Sequence, residues 1–250
     1  MAVHSPVDQF KIEPLIPLQI AGVDISFTNS SLWMMIAVVL SISLLGAAAR
    51  SRAMIPGRLQ VMAEMLYEFV GGMIRDNIGQ HGRKYFPFVF SVFMIVLMGN
   101  LLGLVPFSFT YTSHIAVTGI LALFIFVMVT IIGLVRHGLH FFHLFLPPGV
   151  PIFLVPIVVP IEVISYLIRP VTLSVRLFAN MMAGHLVLKV FAGFSVAMVT
   201  GLGGAGLIAG LIPMAFNSLI IAFELLVALL QAYVYAILTC IYLKDSIELH

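Results

Sequence analysis

Six polar side chains recur at helical spacing within one long apolar stretch of the sequence. They are separated by three or four residues and are Glu162, Ser165, Arg169, Thr172, Arg176 and Asn180. On an α-helix this spacing places all six on one continuous face, which we call the polar stripe. Carboxylate, guanidinium, hydroxyl and amide groups on one face can hold water and guide an ion, so the stripe predicts ion movement along this helix.

A second apolar stretch repeats this arrangement closer to the C-terminus. Asn217, Glu224 and Gln231 are seven residues apart, and Tyr235 follows one helical turn later. The alternative interpretation is that such groups only join helices inside a membrane by hydrogen bonds. That alternative stays open for Asn180, Asn217 and Gln231 taken singly.

Arg176 is the member of the polar stripe that helix packing explains least. A charge at the centre of a bilayer costs at least ~2.5–3.5 kcal/mol. The acid on the same helix, Glu162, lies about 21 Å away at 1.5 Å per residue. An arginine without a resident counter-ion indicates a partner carboxylate that moves or belongs to another chain. Pro170 frees backbone groups nearby, which protein or water must satisfy.

The composition requires lipid as the solvent for most of the chain. Of its 250 residues, 62% are hydrophobic and 9% are charged, and the mean hydropathy is +1.17. Soluble domains have roughly 45–50% apolar and about 25% charged residues. The net charge of +2 is too small to indicate a nucleic-acid partner. The single cysteine, Cys240, excludes a disulfide framework within the chain.

Apolar runs and the breaks between them predict an all-α integral membrane protein with five crossings. The predicted spans are 32–49, 86–105, 115–135, one within 150–194, and 207–243. The last two runs exceed the length of an upright crossing, and the glycine-rich segment 201–206 separates them. We therefore expect residues 150–243 to form a tilted, antiparallel pair of helices, the helical hairpin.

Basic residues predict the orientation of these spans. Six of them lie within 50–84, and Arg136 and Lys244 lie in segments of the same parity. On the opposite side Lys11 stands alone. We therefore expect the N-terminal segment 1–31 outside and the C-terminus inside.

Residues 57–84 lack the pattern of a membrane span. Apolar residues at helical spacing from Leu59 to Met73 oppose Glu64 and Glu68. This pattern predicts an amphipathic helix on the inner membrane surface, and a helix packed on a partner protein is the open alternative. No internal repeat divides the sequence, so we predict a single membrane domain over 1–250.

Three segments of the chain resemble subunit a of the F-type ATP synthase. The most specific is RPVTLSVRLFANMMAGH at 169–185, which is similar to the signature helix of that family. ELLVALLQAY at 224–233 resembles its last helix, and GNLLGLVP at 99–106 resembles the end of its second span. The resemblance covers nearly the whole chain in order. It implies a proton-translocating stator subunit that is not catalytic by itself.

The resemblance also implies roles for individual residues of this sequence. Arg176 would face a carboxylate on a ring of c subunits, the c-ring, and separate two offset aqueous half-channels. The other implied positions are His185 and Glu224 in the outer half-channel, Glu162 and Ser165 in the inner half-channel, and Asn180 and Gln231 as polar neighbours of the path.

One residue of this sequence differs from the family pattern, and the relative level of the last two helices is taken from the family. Gly103 stands where some members of the family carry an acid, so this chain lacks that acid. If Arg176 is level with Gln231, as in the family, an antiparallel hairpin brings His185 close to Glu224. Protons that enter on one side of the arginine would then leave on the other only after the ring has turned.

The resemblance implies the partners and the location as well. The hairpin would lie against the c-ring, and peripheral-stalk subunits of the b type and membrane lipid would complete the surroundings. The bacterial inner (plasma) membrane is the expected location, with the mitochondrial inner membrane as the alternative. We predict no cofactor, no metal and no nucleic-acid partner.

Two other functions compete with this interpretation. A secondary transporter or channel needs inverted repeats or a complete pore within one chain, and the sequence has neither. A haem or quinone oxidoreductase needs histidine ligands on several buried helices, and only His185 qualifies. His137, His140 and His143 lie beside a span end and are interpreted as interfacial.

Overall fold

The computed structural model describes residues 10–17, 19–20, 23–24, 26–50, 56–105, 108–146, 151, 153–201 and 204–247. Within these residues the α-helices are α1 (Asn29–Arg50), α2 (Arg58–Ile78), α3 (Phe86–Gly103), α4 (Ile115–His137), α5 (Val155–Gly201) and α6 (Gly204–Ile247). Short 3₁₀ segments follow α2 at Gly79–Tyr85 and α4 at Gly138–Phe145, and another, Tyr111–Ser113, precedes α4.

Among the described residues, five helices are long and apolar enough to cross a membrane, namely all except α2. Each overlaps one of the five predicted spans, and the ends differ by a few residues. Many large apolar side chains on them stay exposed, including Ile42, Ile120 and Phe223. Lipid accounts for this exposure because it solvates apolar side chains as well as a protein core does. The all-α membrane class is confirmed.

The last two helices are much longer than one upright crossing requires. α5 has 47 residues and α6 has 44, which corresponds to about 65–70 Å at 1.5 Å per residue. A bilayer core is only about 30 Å thick. α5 continues through Pro160 and Pro170, and α6 through Pro213. These prolines remove backbone donors without ending either helix.

The amphipathic helix is confirmed as α2, although only part of its predicted apolar face is buried. The buried side chains are Ala63, Val70, Met73, Ile74 and Ile78. Met62, Met65 and Phe69, which belong to the same predicted face, are 52%, 64% and 46% exposed. The helix therefore presents a partly exposed apolar edge beside its packed one. Its place on the inner membrane surface stays a prediction.

The N-terminal segment contains strands that the hydropathy pattern did not predict. β1 (Pro14–Ile16) pairs with β4 (Phe27–Thr28), and β2 (Gln19–Ile20) pairs with β3 (Val23–Asp24), both antiparallel. Asn29 ties them to the start of α1, because its amide donates to the Lys11 carbonyl at 3.1 Å. Strands of two or three residues are too short to have a recognisable period.

The chain forms two compact units. Unit 1 comprises Met1–Ser41, Val96–His114 and Leu177–Gln231, and unit 2 comprises Ile42–Ile95, Ile115–Arg176 and Ala232–His250. The prediction of a single membrane domain stays a prediction.

Within each unit, α5 and α6 run antiparallel. In unit 1 the Ser195 hydroxyl donates to the Gly210 carbonyl at 2.8 Å. In unit 2 the Tyr235 hydroxyl donates to the Leu173 carbonyl at 3.1 Å. Glu224 lies beside His185 in unit 1, and Asp245 lies beside Arg169 in unit 2. Within each unit, therefore, the partners on α6 have higher numbers where those on α5 have lower ones.

Candidate functional site

A buried acid–base pair lies in unit 1 between α5 and α6. His185 is 9% exposed and Glu224 is 3% exposed. The His185 Nε2 and Glu224 Oε1 atoms are 3.7 Å apart, slightly beyond hydrogen-bond distance. The structure thus brings together the two residues that the antiparallel register predicts to be neighbours. A small side-chain movement would allow a proton to pass between them.

Gly184 gives the Glu224 carboxylate its place against α5. A methyl group built on Gly184 would lie 2.6 Å from Glu224 Oε1 and 2.9 Å from its Cδ. A side chain at position 184 would therefore require the Glu224 carboxylate to shift. The glycine is needed for this close approach and not for an unusual backbone conformation.

Thr110, in the segment between α3 and α4, completes the surroundings of His185. Its Oγ1 lies 3.0 Å from His185 Nε2 and also donates to the Gly103 carbonyl at 3.3 Å. A hydroxyl has one proton to donate. When that proton points to Gly103, the oxygen accepts from the Nε2–H of His185 and leaves Nδ1 to accept a proton. Sequence reasoning missed Thr110, since nothing in the sequence links this loop to α5.

The close approach of Thr110 also explains why Gly103 has no side chain. A methyl group at position 103 would lie 2.7 Å from Thr110 Cγ2 and 2.8 Å from its Oγ1. The space that a side chain at 103 would need is filled by the threonine. The hydroxyl that meets His185 therefore comes from the following loop instead of from α3.

Unit 1 contains several buried oxygen atoms without a hydrogen-bond partner among the described residues. They are both carboxylate oxygens of Glu224, Gln231 Oε1, Asn100 Oδ1, Asn217 Oδ1, Thr112 Oγ1 and Ser30 Oγ. The amide of Asn100 donates to the Ala228 carbonyl on α6 at 3.4 Å. Buried polar atoms of this kind are usually satisfied by ordered water. The chemistry of this region is therefore suited to a hydrated path.

A second histidine in unit 1 lies just before α4, outside the spans. Its ring stacks on Phe109 with the ring centres 5.2 Å apart. Burial lowers the pKa of His114 below its ordinary value. This imidazole is therefore neutral at neutral pH and adds no charge to unit 1.

In unit 2, Arg176 is exposed on α5. No carboxylate among the described residues lies within ion-pair distance of it. The sequence predicted that α5 itself has no acid near Arg176. In the structure, no other acid whose side chain is described pairs with Arg176 either.

The two predicted inner residues, Glu162 and Ser165, also belong to unit 2. Glu162 is half-buried and Ser165 is exposed on α5. The predicted neighbours Asn180 and Gln231 belong to unit 1, where Asn180 is half-buried and Gln231 is buried at 6% exposure. The structure keeps Glu162 and Ser165 on one helix without joining them to a described partner.

Arg169, the other arginine of the polar stripe, has a partner that the sequence did not reveal. Its Nη1 donates to Asp245 Oδ2 at 2.9 Å, and both side chains are 27% exposed. The guanidinium also lies over the rings of Tyr166 and Tyr242, at 5.4 Å and 5.0 Å from their centres. Asp245 is near the end of α6, 76 residues away in the chain.

The histidines at the end of α4 and just after it are not gathered into a ligand set. His137 Nε2 lies 3.0 Å from the Ile247 carbonyl oxygen, and the rings of His140 and His143 are 4.5 Å apart. Over the described ranges there is no group of three His, Cys, Asp or Glu residues able to hold a metal ion.

The five long apolar helices among the described residues define the class as a multi-pass membrane protein. A family model described as ATP synthase A chain matches residues 31–244. ATP synthase subunit a of Rhodospirillum rubrum is 54% identical over 248 residues, covering 99% of this chain and 100% of the relative. The subunit a of Paramagnetospirillum magneticum is 55% identical over 249 residues, covering 98% and 99%.

The chain belongs to the ATP synthase subunit a family. It is a proton-translocating stator subunit of F-type ATP synthase and is non-catalytic, because the catalytic sites lie in the separate F1 sector. It sits in the F0 sector with other subunits as a multi-pass protein of the bacterial inner membrane.

Proposed function

We propose that this chain provides two offset aqueous half-channels to and from the carboxylates of a c-ring, with Arg176 as the barrier between them. The observation that carries the proposal is the exposed Arg176 without a described carboxylate partner, on a helix that is otherwise largely apolar. An uncompensated guanidinium in a membrane span is costly. A carboxylate that arrives from a neighbouring subunit would offset that cost.

The outer half-channel is assigned to unit 1. His185 and Glu224 pass the proton, and Asn180 and Gln231 are polar neighbours of the route. The 3.7 Å approach of the acid–base pair and the unpartnered oxygens around it support this assignment. The inner half-channel is assigned to Glu162 and Ser165 of the polar stripe.

Electrostatics explains how such an arrangement converts proton flow into rotation. A protonated ring carboxylate is neutral and can cross lipid, whereas an opposite charge nearby favours the ionised form. Beside Arg176 the carboxylate therefore gives up its proton. The guanidinium stays protonated and cannot relay protons itself. A proton falling through the membrane potential yields ~2.3 kcal/mol per 100 mV, and the ring must turn to let it through.

The proposal includes an orientation and specific partners. The excess of basic residues within 50–84 supports a cytoplasmic C-terminus and an N-terminal segment outside. The c-ring contacts the helical hairpin, and peripheral-stalk subunits of the b type hold the chain against rotation. The exposed apolar edge of α2 is available to lipid or to such a subunit.

Purification of the tagged chain from its own membrane tests the proposal. We expect c subunits to copurify, and we expect the isolated chain in vesicles to conduct no protons, because each half-channel alone ends inside the membrane. A chain that conducts protons without c subunits would be a complete channel. That result would overturn the proposal.

Removal of the Thr110 hydroxyl is expected to slow the outer half-channel. Thr110→Val keeps the shape but loses the hydrogen bond to His185, whereas Thr110→Ser keeps the hydroxyl. A hydrogen bond contributes about 0.5–1.5 kcal/mol net, so passive proton flow through F1-stripped vesicles should fall by up to about tenfold in the valine variant. The serine variant should stay near the wild-type rate.

A matched control for Thr110 is Thr200→Val. The Thr200 hydroxyl donates only to carbonyls of its own helix, those of Val196 and Ala197. Its loss should leave proton flow unchanged. If Thr110→Ser is slower than Thr110→Val, the methyl group matters more than the hydroxyl, and the positioning role of Thr110 is wrong.

A further inference from the structure

The polar stripe presents two arginines to the same face of α5. Arg169 and Arg176 are seven residues apart, about 10 Å along the helix axis, and both belong to unit 2. A carboxylate moving along this face would be attracted to each of them. Two equal cations would give it two resting positions, which conflicts with a single barrier between two half-channels.

The structure distinguishes these two arginines by their partners. Arg169 donates to Asp245 at 2.9 Å and lies over the rings of Tyr166 and Tyr242. Arg176 is exposed and has no described carboxylate within ion-pair distance. Opposite charges in contact act at a distance as a dipole, whose attraction for a third charge falls off faster than that of a lone ion. While it is paired with Asp245, Arg169 therefore attracts a distant carboxylate only weakly.

We infer that Asp245 is a positioning residue that neutralises Arg169, so that Arg176 is the only uncompensated guanidinium on the polar stripe. This inference rests on the proposed function, since it specifies which of two cations the ring carboxylate meets. Tyr166 and Tyr242 assist because their ring faces favour a guanidinium. The ion pair works through Arg176 and does not itself take part in proton transfer.

Two other roles for Asp245 predict different results. If Asp245 were a proton relay, its carboxyl group would be needed whatever stands at position 169. If the ion pair were only a structural clamp, loss of either member would weaken assembly, and loss of both would weaken it as much. A charge-neutralising role instead requires that the two charges be removed together without harm.

The test uses the assembled ATP synthase in inverted membrane vesicles with Asp245→Asn, Arg169→Gln and the double variant. Copurification of c subunits reports assembly, and ATP-driven proton pumping reports coupling. We expect Asp245→Asn to assemble and to pump about tenfold more slowly, which corresponds to about 1.4 kcal/mol. The double variant should recover to within about threefold of the wild-type rate, since it has one free guanidinium again.

Lys244→Gln is the matched control, because it removes the neighbouring charge on α6 from an exposed side chain. It should pump at the wild-type rate. A double variant as slow as Asp245→Asn indicates a relay, and loss of assembly in both variants indicates a clamp. Either result overturns the inference, and so does wild-type pumping by Asp245→Asn.

The failure of this inference can be separated from failure of the proposed function by Arg176→Ala in the same vesicles. If Arg176→Ala does not pump while Asp245→Asn pumps normally, only the inference about Asp245 fails. If Arg176→Ala pumps normally, the proposed function fails first, whatever Asp245→Asn does.

Discussion

Replacement of Arg176 by alanine is expected to abolish both ATP-driven proton pumping and proton-driven ATP synthesis. The ring carboxylate then meets no positive charge, so nothing favours its ionised form inside the membrane. Arg176→Lys is expected to fail as well or nearly so, because lysine lacks the planar fork and can deprotonate when buried. The measurement is pumping and synthesis in vesicles that contain equal amounts of assembled enzyme.

The neighbouring residue Val175 provides the control for this experiment. Its side chain is 44% exposed on the same helix and has no charge. Val175→Ala should retain both activities, which separates the loss of charge from a disturbance of this surface. Vesicles with Arg176→Lys that synthesise ATP near the wild-type rate would contradict the role given to the guanidinium.

Loss of either member of the His185–Glu224 pair is expected to have the second largest effect. His185→Leu or Glu224→Leu leaves an apolar gap in the outer half-channel, where the two side chains are 3.7 Å apart. General acid–base groups typically contribute 10²–10⁴-fold, so passive proton flow should fall on the order of 100-fold. The measurement is proton flow through F1-stripped vesicles under an imposed potential.

Exchange of the two groups tests whether they act as one relay. His185→Glu with Glu224→His should retain more proton flow than the product of the two single exchanges, because the pair matters more than the helix that carries each group. Ser218→Ala removes only a hydrogen bond within α6 and should have no effect. If His185→Leu leaves passive flow intact, His185 is a packing residue and the relay is wrong.

The helices were largely predictable from the sequence because lipid imposes simple requirements on it. A span needs about 20 apolar residues, and α4 begins at Ile115, the residue at which the predicted span begins. The glycine-rich segment 201–206 predicts a break between the last two helices, and α5 ends at Gly201 while α6 begins at Gly204. The short N-terminal strands were not predictable from hydropathy, because backbone pairing at a span end depends on local contacts.

The polar stripe and the neighbours His185 and Glu224 could also be found from spacing, with the register borrowed from the family. Helical periodicity puts residues on one face, and an antiparallel turn puts two faces into register. The sequence also predicted part of the finding on Arg176, because it already excluded an acid nearby on the same helix. That no described carboxylate elsewhere pairs with Arg176 required the structure.

Only the tertiary structure decided which polar groups meet across long separations in the chain. Thr110 reaches His185 from a loop 75 residues away, and Asp245 reaches Arg169 from 76 residues away. Helical periodicity predicts which residues share one face of a helix. It does not predict which loop packs on that face or which partner the end of a long side chain contacts. The sequence by itself therefore determined the spans and the chemistry on each face. Packing decided which of the two arginines is neutralised, because an ion pair forms only where both side chains can reach the same place.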